Sequence, residues 1–158
     1  NYHKYQFDMV RIGIGMLGIS GDEEMSKKLQ RTVSFKTVIS QISEVEALES
    51  VGYNRNYKTE NLTKIATIPV GYADGIPRSI GNKVGSVGIN GKIYPIVGNV
   101  CMDMLMVDVS QSNAKEGDEV CIFNGNPNLE KFSEYCKTIP YEVLTSISRR
   151  VKRVYIKN

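Results

Sequence analysis

Few residues in this chain could do chemistry, and most of the usual inventories come up empty. Histidine occurs once, at His3, so a histidine-based triad is not expected within it. Cys101, Cys121 and Cys136 are odd in number, widely spaced and without a CxxC pair, which suggests neither a zinc site nor a disulfide framework. No GxxxxGK[ST] or HExxH run occurs. The glycines of Gly13-Ile14-Gly15-Met16-Leu17-Gly18 approach the dinucleotide-binding spacing but lack a strand before and a helix after. What remains is tyrosine and two isolated charges. Nine tyrosines occur, three of them beside turns: Tyr53, Tyr57 and Tyr72. Each reads first as a packing or surface residue whose hydroxyl needs only a partner. Asp103 stands among the methionines of Cys101-Met102-Asp103-Met104, and a carboxylate buried there must be paired. Arg11 poses the same problem with the opposite sign: it needs an anion or an acceptor, and a ligand is one candidate.

The elements that must position these residues are mostly strands. Residues 9–18 are apolar at nearly every position and read as a strand buried on both faces. Residues 31–45 are rich in β-branched side chains and read as one long strand. Polar residues 54–61 form a loop carrying Tyr57, and residues 64–70 a strand that ends in the turn Gly71-Tyr72-Ala73-Asp74-Gly75. Asn90-Gly91 between two apolar arms is a hairpin signal, because both turn positions need positive φ. Residues 95–109 read as a strand pair or a long bent strand, and residues 120–123 as a further strand. A helix follows, capped by Asn128, with Leu129, Phe132, Cys136 and Ile139 at spacings of three and four and with Pro140 ending it. Residues 141–147 form a second short helix and residues 151–156 a closing strand. The fold class is therefore mainly β, a barrel or sandwich with one or two short helices packed on it.

At 158 residues the chain fits about one domain, and 41% hydrophobic residues suffice for a core. No apolar run reaches the ~18 residues of a membrane span. Twenty basic against 17 acidic residues leave +3, too weak a bias to imply nucleic acid. The basic cluster 149–153 reads as a solvated strand or tail face. The start Asn1-Tyr2-His3-Lys4 is neither a Met start nor a leader, which suggests a piece of something longer, and the cysteines fit a reducing, cytoplasmic setting.

Taken in order, the segments resemble those of the alanine racemases. The resemblance is carried by Met9-Val10-Arg11-Ile12-Gly13-Ile14-Gly15-Met16-Leu17-Gly18 and by Glu49-Ser50-Val51-Gly52-Tyr53 with Tyr57. It continues through Ile68-Pro69-Val70-Gly71-Tyr72-Ala73-Asp74-Gly75 with Arg78, and Pro95-Ile96-Val97-Gly98 with Cys101-Met102-Asp103. Last come Ile139-Pro140-Tyr141-Glu142-Val143 and the run to Arg153. Each is weak alone; five in order and spacing are specific.

The resemblance implies a two-domain homodimer in which a barrel lysine, outside this chain, holds pyridoxal 5'-phosphate. Residues 1–26 would end that (β/α)8 barrel and residues 27–158 would form the C-terminal β domain, which reaches over to the other subunit's barrel. Racemisation removes an α-proton on one face of the substrate and returns it on the other, so two bases must flank it. The resemblance implies that these are the barrel lysine and Tyr53. A phenol, with pKa ~10 when unperturbed, needs nearby positive charge to serve as a base. Arg11 would face the cofactor's pyridine nitrogen; a guanidinium only donates, so the nitrogen stays unprotonated. That makes a weaker electron sink and favours proton return over transamination. The Ile14 N–H would contact the phosphate and the Met102 N–H the substrate carboxylate. Tyr72 would stand at the substrate entrance, with Arg78 and Asp103 along the access corridor. The chain departs from the family at three places: Asn99 where many members have Arg, Leu48 where Gly is usual, and Arg149 where some have a Tyr.

The implied reaction interconverts L- and D-alanine for peptidoglycan, with no nucleic acid or membrane as partner, and this chain alone is expected to be inactive. A serine racemase of the same architecture shares these motifs. A non-catalytic β-barrel binding module would interleave exposed aromatics with Lys and Arg, whereas the basic cluster holds only Tyr155 nearby. The pairing of Gly52-Tyr53 with Gly71-Tyr72-Ala73-Asp74-Gly75 argues against a pyridoxal-phosphate decarboxylase.

Overall fold

The apolar stretch at residues 9–18 does not become a strand. The computed structural model describes residues 3–156, and the chain divides between Val33 and Ser34 into two compact units. The first holds a 3-10 turn at Ile14–Leu17 and one helix, α1 (Glu23–Lys28), capped by Asp22, whose Oδ1 accepts from the Met25 N–H at 2.7 Å. A strand exists only by pairing, and among the described residues this unit contains no strand at all. Met9, Val10, Ile12 and Met16 are consequently exposed, as is Arg11, so the expected burial of this segment is corrected.

The second unit is a curled sheet. Its strands are β1 (Phe35–Val38), β2 (Gln41–Val45), β3 (Ser50–Val51), β4 (Tyr57–Lys58), β5 (Thr63–Ile68), β6 (Ser86–Ile89), β7 (Lys92–Val97), β8 (Leu105–Asp108) and β9 (Glu119–Phe123). Seven pair antiparallel in the order β1-β9-β6-β7-β8-β5-β2, and β3 pairs with β4 as a separate ribbon. The two outer strands, β1 and β2, are separated only by Ile39 and Ser40. Ile39 donates to the Asp118 carbonyl and accepts from the Gly117 N–H, on the β9 side, while the Ser40 N–H donates to Thr67 of β5. The sheet therefore curls until one bent segment serves both its edges, which is how a barrel hides its edge strands. The long strand expected at residues 31–45 is corrected to two short ones joined at this bend.

The mainly β class stands, and the remaining elements follow local signals. Asn90 and Gly91 both take positive φ, 49° and 78°, and set the β6–β7 register at Ile89 opposite Lys92. Alternate side chains of the strands fill the interior, with Ile68, Val87, Ile96, Leu105, Val107 and Ile122 fully buried. Tyr57, expected in a loop, lies in β4 and is half-buried; burial, with Asp108 and Glu60 nearby, raises its hydroxyl pKa.

Helix α2 (Leu129–Tyr135) is capped by Asn128, whose Oδ1 accepts from the Lys131 N–H, and buries Leu129 and Phe132. Pro140 does not end this helix. Lys137 turns left-handed at φ 55° and stops it, and Pro140 opens α3 (Pro140–Ser146), at a position where its missing N–H costs nothing. The closing strand expected at residues 151–156 is absent. Arg153 folds back and donates to the carbonyls of Ile147, Ser148 and Val151, and Tyr155 is 92% exposed. A side chain, not a ladder, thus satisfies the carbonyls of Ile147, Ser148 and Val151.

Candidate active site

The loop from Gly98 to Met104, between β7 and β8, gathers most of the residues singled out in the sequence. Asn99 is its buried polar side chain, at 5% exposure. Its Nδ2 donates to the carbonyl of Tyr53 at 2.8 Å, and its Oδ1 accepts from Asn56 Nδ2 at 3.3 Å and Asn82 Nδ2 at 3.1 Å. Tyr53 begins a 3-10 turn between β3 and β4 in which Asn54 and Arg55 take φ of 64° and 52°. Left-handed backbone at non-glycine residues costs of order 1–3 kcal/mol each and persists only where the surroundings impose it. The Tyr53 side chain is 68% exposed, and its hydroxyl makes no hydrogen bond among the described residues.

The same loop holds the Tyr72 turn. The Tyr72 N–H donates to Cys101 O and the Ala73 N–H to Met102 O, both at 3.0 Å. The two backbones approach so closely that a Cβ on Gly71 would lie 2.3 Å from Cys101 O and 2.4 Å from Met102 O, so only glycine fits. Tyr72 and Met102 are both exposed. The Met102 N–H donates to no group among the described residues, which leaves a main-chain donor open on a fixed loop. Arg78, also exposed, opens the next 3-10 turn, and the N–H of Asn82 just beyond it donates to Gly98 O at 2.8 Å. Burial raises the Cys101 thiol pKa, with the Arg78 charge opposing. Burial also raises Cys136, to about 11, and thiols so shifted are poor nucleophiles near neutral pH.

The two isolated charges resolve differently from expectation. Asp103 is not buried; it lies on the surface and is still paired, at 2.6 Å, with Arg150 Nη2. The buried carboxylate is Asp74, which accepts from the Gly71 N–H at 2.9 Å and from Arg150 Nε and Nη2 at 2.7 and 3.0 Å. Burial alone would raise the Asp74 pKa, but the Arg150 and Gly71 donors outweigh it and hold the carboxyl below its ordinary value. Sequence reasoning missed Arg150, because nothing in the run Arg149-Arg150-Val151-Lys152-Arg153 separates it from its neighbours. It missed the work of Asn99 for a similar reason: a polar residue in a turn signals no particular partner.

Leu48 has a backbone φ of 67°, with its N–H donating to Thr59 O at 2.8 Å. The turn keeps a conformation suited to glycine although a leucine occupies it. In the first unit, Arg11 extends into solvent, and Ile14 begins the 3-10 turn with an N–H that bonds to no group among the described residues. Among the described residues no cluster of three or more His, Cys, Asp or Glu could hold a metal ion.

An exposed tyrosine, a second tyrosine and an open backbone donor thus lie on mutually bonded loops carried by a curled seven-stranded sheet. The family model for the alanine racemase C-terminal domain matches residues 32–155. The chain belongs to that family. It is 42% identical over 156 residues to alanine racemase 2 of Caldanaerobacter subterraneus subsp. tengcongensis, covering 94% of this chain and 40% of that protein. It is 41% identical over 157 residues to the alanine racemase of Clostridium tetani, covering 94% and 41%. The crystal structure of the Bartonella henselae alanine racemase with covalently bound pyridoxal phosphate matches with a TM-score of 0.88 at 38% identity, covering 94% of this chain and 42% of that one. The Bacillus anthracis alanine racemase with bound L-Ala-P matches at 0.89 and 34%, covering 100% and 42%. The chain thus spans about two-fifths of the length of these relatives.

Proposed function

We propose that this chain is the C-terminal part of a pyridoxal-phosphate-dependent alanine racemase, in which it supplies one of the two bases that exchange the substrate's α-proton. Residues 1–26 end a (β/α)8 barrel that carries the cofactor lysine upstream, and residues 27–158 form the β domain. Two subunits pair so that the β domain of one completes the site of the other. The enzyme acts in the cytoplasm and its product feeds peptidoglycan. The chain by itself is inactive, because the lysine lies outside it.

The observation that carries this reading is the bonding of the Tyr53 turn, the Tyr72 turn and the Met102 backbone to one loop, in a chain of this family. Tyr53 presents an exposed phenol with no hydrogen-bond partner among the described residues, ready to take a proton from one face of a bound amino acid. The open Met102 N–H suits a carboxylate, since a main-chain donor held by flanking bonds loses little freedom on binding. Tyr72 lines the approach, and Arg78 and Asp103 set the charge along it, with Asp103 balanced by Arg150.

The residues of the first unit fit the cofactor. A Cβ on Gly15 would meet no atom within 4 Å, so the start of the Ile14–Leu17 turn is open, and its first N–H groups suit a phosphate. Arg11, a permanent donor, would face the pyridine nitrogen. When bound, the cofactor draws electrons from the α-carbon and so makes its proton removable.

In the full-length protein, Tyr53→Phe should slow α-proton exchange on one face of the substrate by about 10²–10⁴-fold, the usual contribution of a positioned acid–base group. Deuterium washout from each alanine enantiomer reads the two faces separately. Equal losses on both would remove Tyr53 from this role.

A further inference from the structure

Resting on the reading of Tyr53 as a base, we propose that Asn99 is its positioning residue, setting the phenol's place through the backbone rather than through the side chain. The Tyr53 ring is exposed and its hydroxyl bonds to no group among the described residues, so within this chain what aims it is the turn beneath. That turn holds two non-glycine residues in left-handed backbone and would relax unless held. Asn99 supplies the hold. Its buried amide donates to the Tyr53 carbonyl itself, and its oxygen accepts from Asn56, at the end of the same turn, and from Asn82 on another loop.

The same hub sets a distance that matters for chemistry. Asn99 lies three residues before Met102, on the loop whose Cys101 and Met102 carbonyls fix the Tyr72 turn. A base at Tyr53 and a carboxylate donor at the Met102 N–H are therefore referred to one short rigid segment. Asn99 touches neither substrate nor cofactor in this scheme.

The test uses the full-length protein loaded with pyridoxal 5'-phosphate, alanine as substrate, and α-proton exchange measured for each enantiomer in D2O. Asn99→Ala and Asn99→Ser should slow exchange by about tenfold or more on the face that Tyr53→Phe slows, since misplacing a reacting group by an ångström costs up to about 10²-fold. The opposite face should keep its rate. Losses equal on both faces, or none, would overturn the proposal, because a merely structural role lowers both together. In the Tyr53→Phe background, Asn99→Ala should add nothing on that face; an additive loss would count against coupling. If the Asn99 variants do not fold, Asn56→Ala and Asn82→Ala each remove one arm from the solvent side. Each should slow the same face by less, and no face preference in either would overturn the proposal. Should Tyr53→Phe itself lack a face preference, the parent reading falls; should it keep one while the Asn99 variants show none, only this inference falls.

Discussion

Arg150 grips Asp74 with two nitrogens, Nε to one carboxylate oxygen at 2.7 Å and Nη2 to the other at 3.0 Å. The geometry is that of a bidentate pair, the strongest arrangement a carboxylate and a guanidinium can make. Nη2 reaches Asp103 as well, so the segment after α3 is tied at once to the Tyr72 turn and to the loop of Met102.

This pair makes stability pH-dependent. The folded Asp74 pKa lies below its ordinary 3.8, so the unfolded chain binds the proton more readily than the folded one. The contribution is fully present above the ordinary value and is lost as pH falls through the folded one. Unfolding midpoints in urea, measured between about pH 5 and pH 2, should drop on acidification. Asp74→Asn should start lower and show a shallower fall; an unchanged slope would remove Asp74 from the acid response.

Gly71→Ala places a methyl into the carbonyls of Cys101 and Met102. Overpacking of this kind costs about 1–3 kcal/mol, read as a lower unfolding free energy. Because the Tyr72 and Ala73 N–H bonds just after Gly71 hold the Tyr72 turn to that loop, catalysis in the full-length protein should fall further than stability alone explains. A neutral variant would mean that the two loops part easily.

Leu48→Gly should act the other way. Leucine at φ 67° carries a left-handed strain of roughly 1–2 kcal/mol, and glycine relieves it at an entropic cost of about 0.5–1 kcal/mol. Thermal unfolding should move upward by a small amount. A lowered midpoint would show that the exposed Leu48 side chain packs usefully elsewhere in the full protein.

On the proposal that Arg11 faces the cofactor's ring nitrogen, Arg11→Glu in the full-length protein would offer that nitrogen a group that can share a proton. A protonated ring is the stronger electron sink, so a long-wavelength absorbance should build up during turnover and transamination by-products should rise. An unchanged spectrum would argue that Arg11 does not face the ring.

Turns, caps and the hairpin were readable in the sequence because they rest on contacts within a few residues. Asn90-Gly91 suits the positive φ that a tight hairpin turn requires, and Asn128 can cap only the helix that follows it. The mainly β class followed from the same signals, and the resemblance singled out Tyr53, Tyr72 and Met102 by type and order. Other readings failed where the outcome depends on a distant partner. Residues 9–18 have the composition of a buried strand but no strand to pair with among the described residues of their own unit. Residues 31–45 bend because β9 and β5 claim opposite halves.

What only the tertiary structure decided is who holds whom. Arg150 and Asp74 are 76 residues apart, and Asn99 and Tyr53 are 46 apart. No periodicity or turn chemistry encodes such a pairing; it arises when the sheet curls and brings separate loops within hydrogen-bonding reach. The types of the proposed reactive groups were written in the chain, and which loops hold them was decided by the fold.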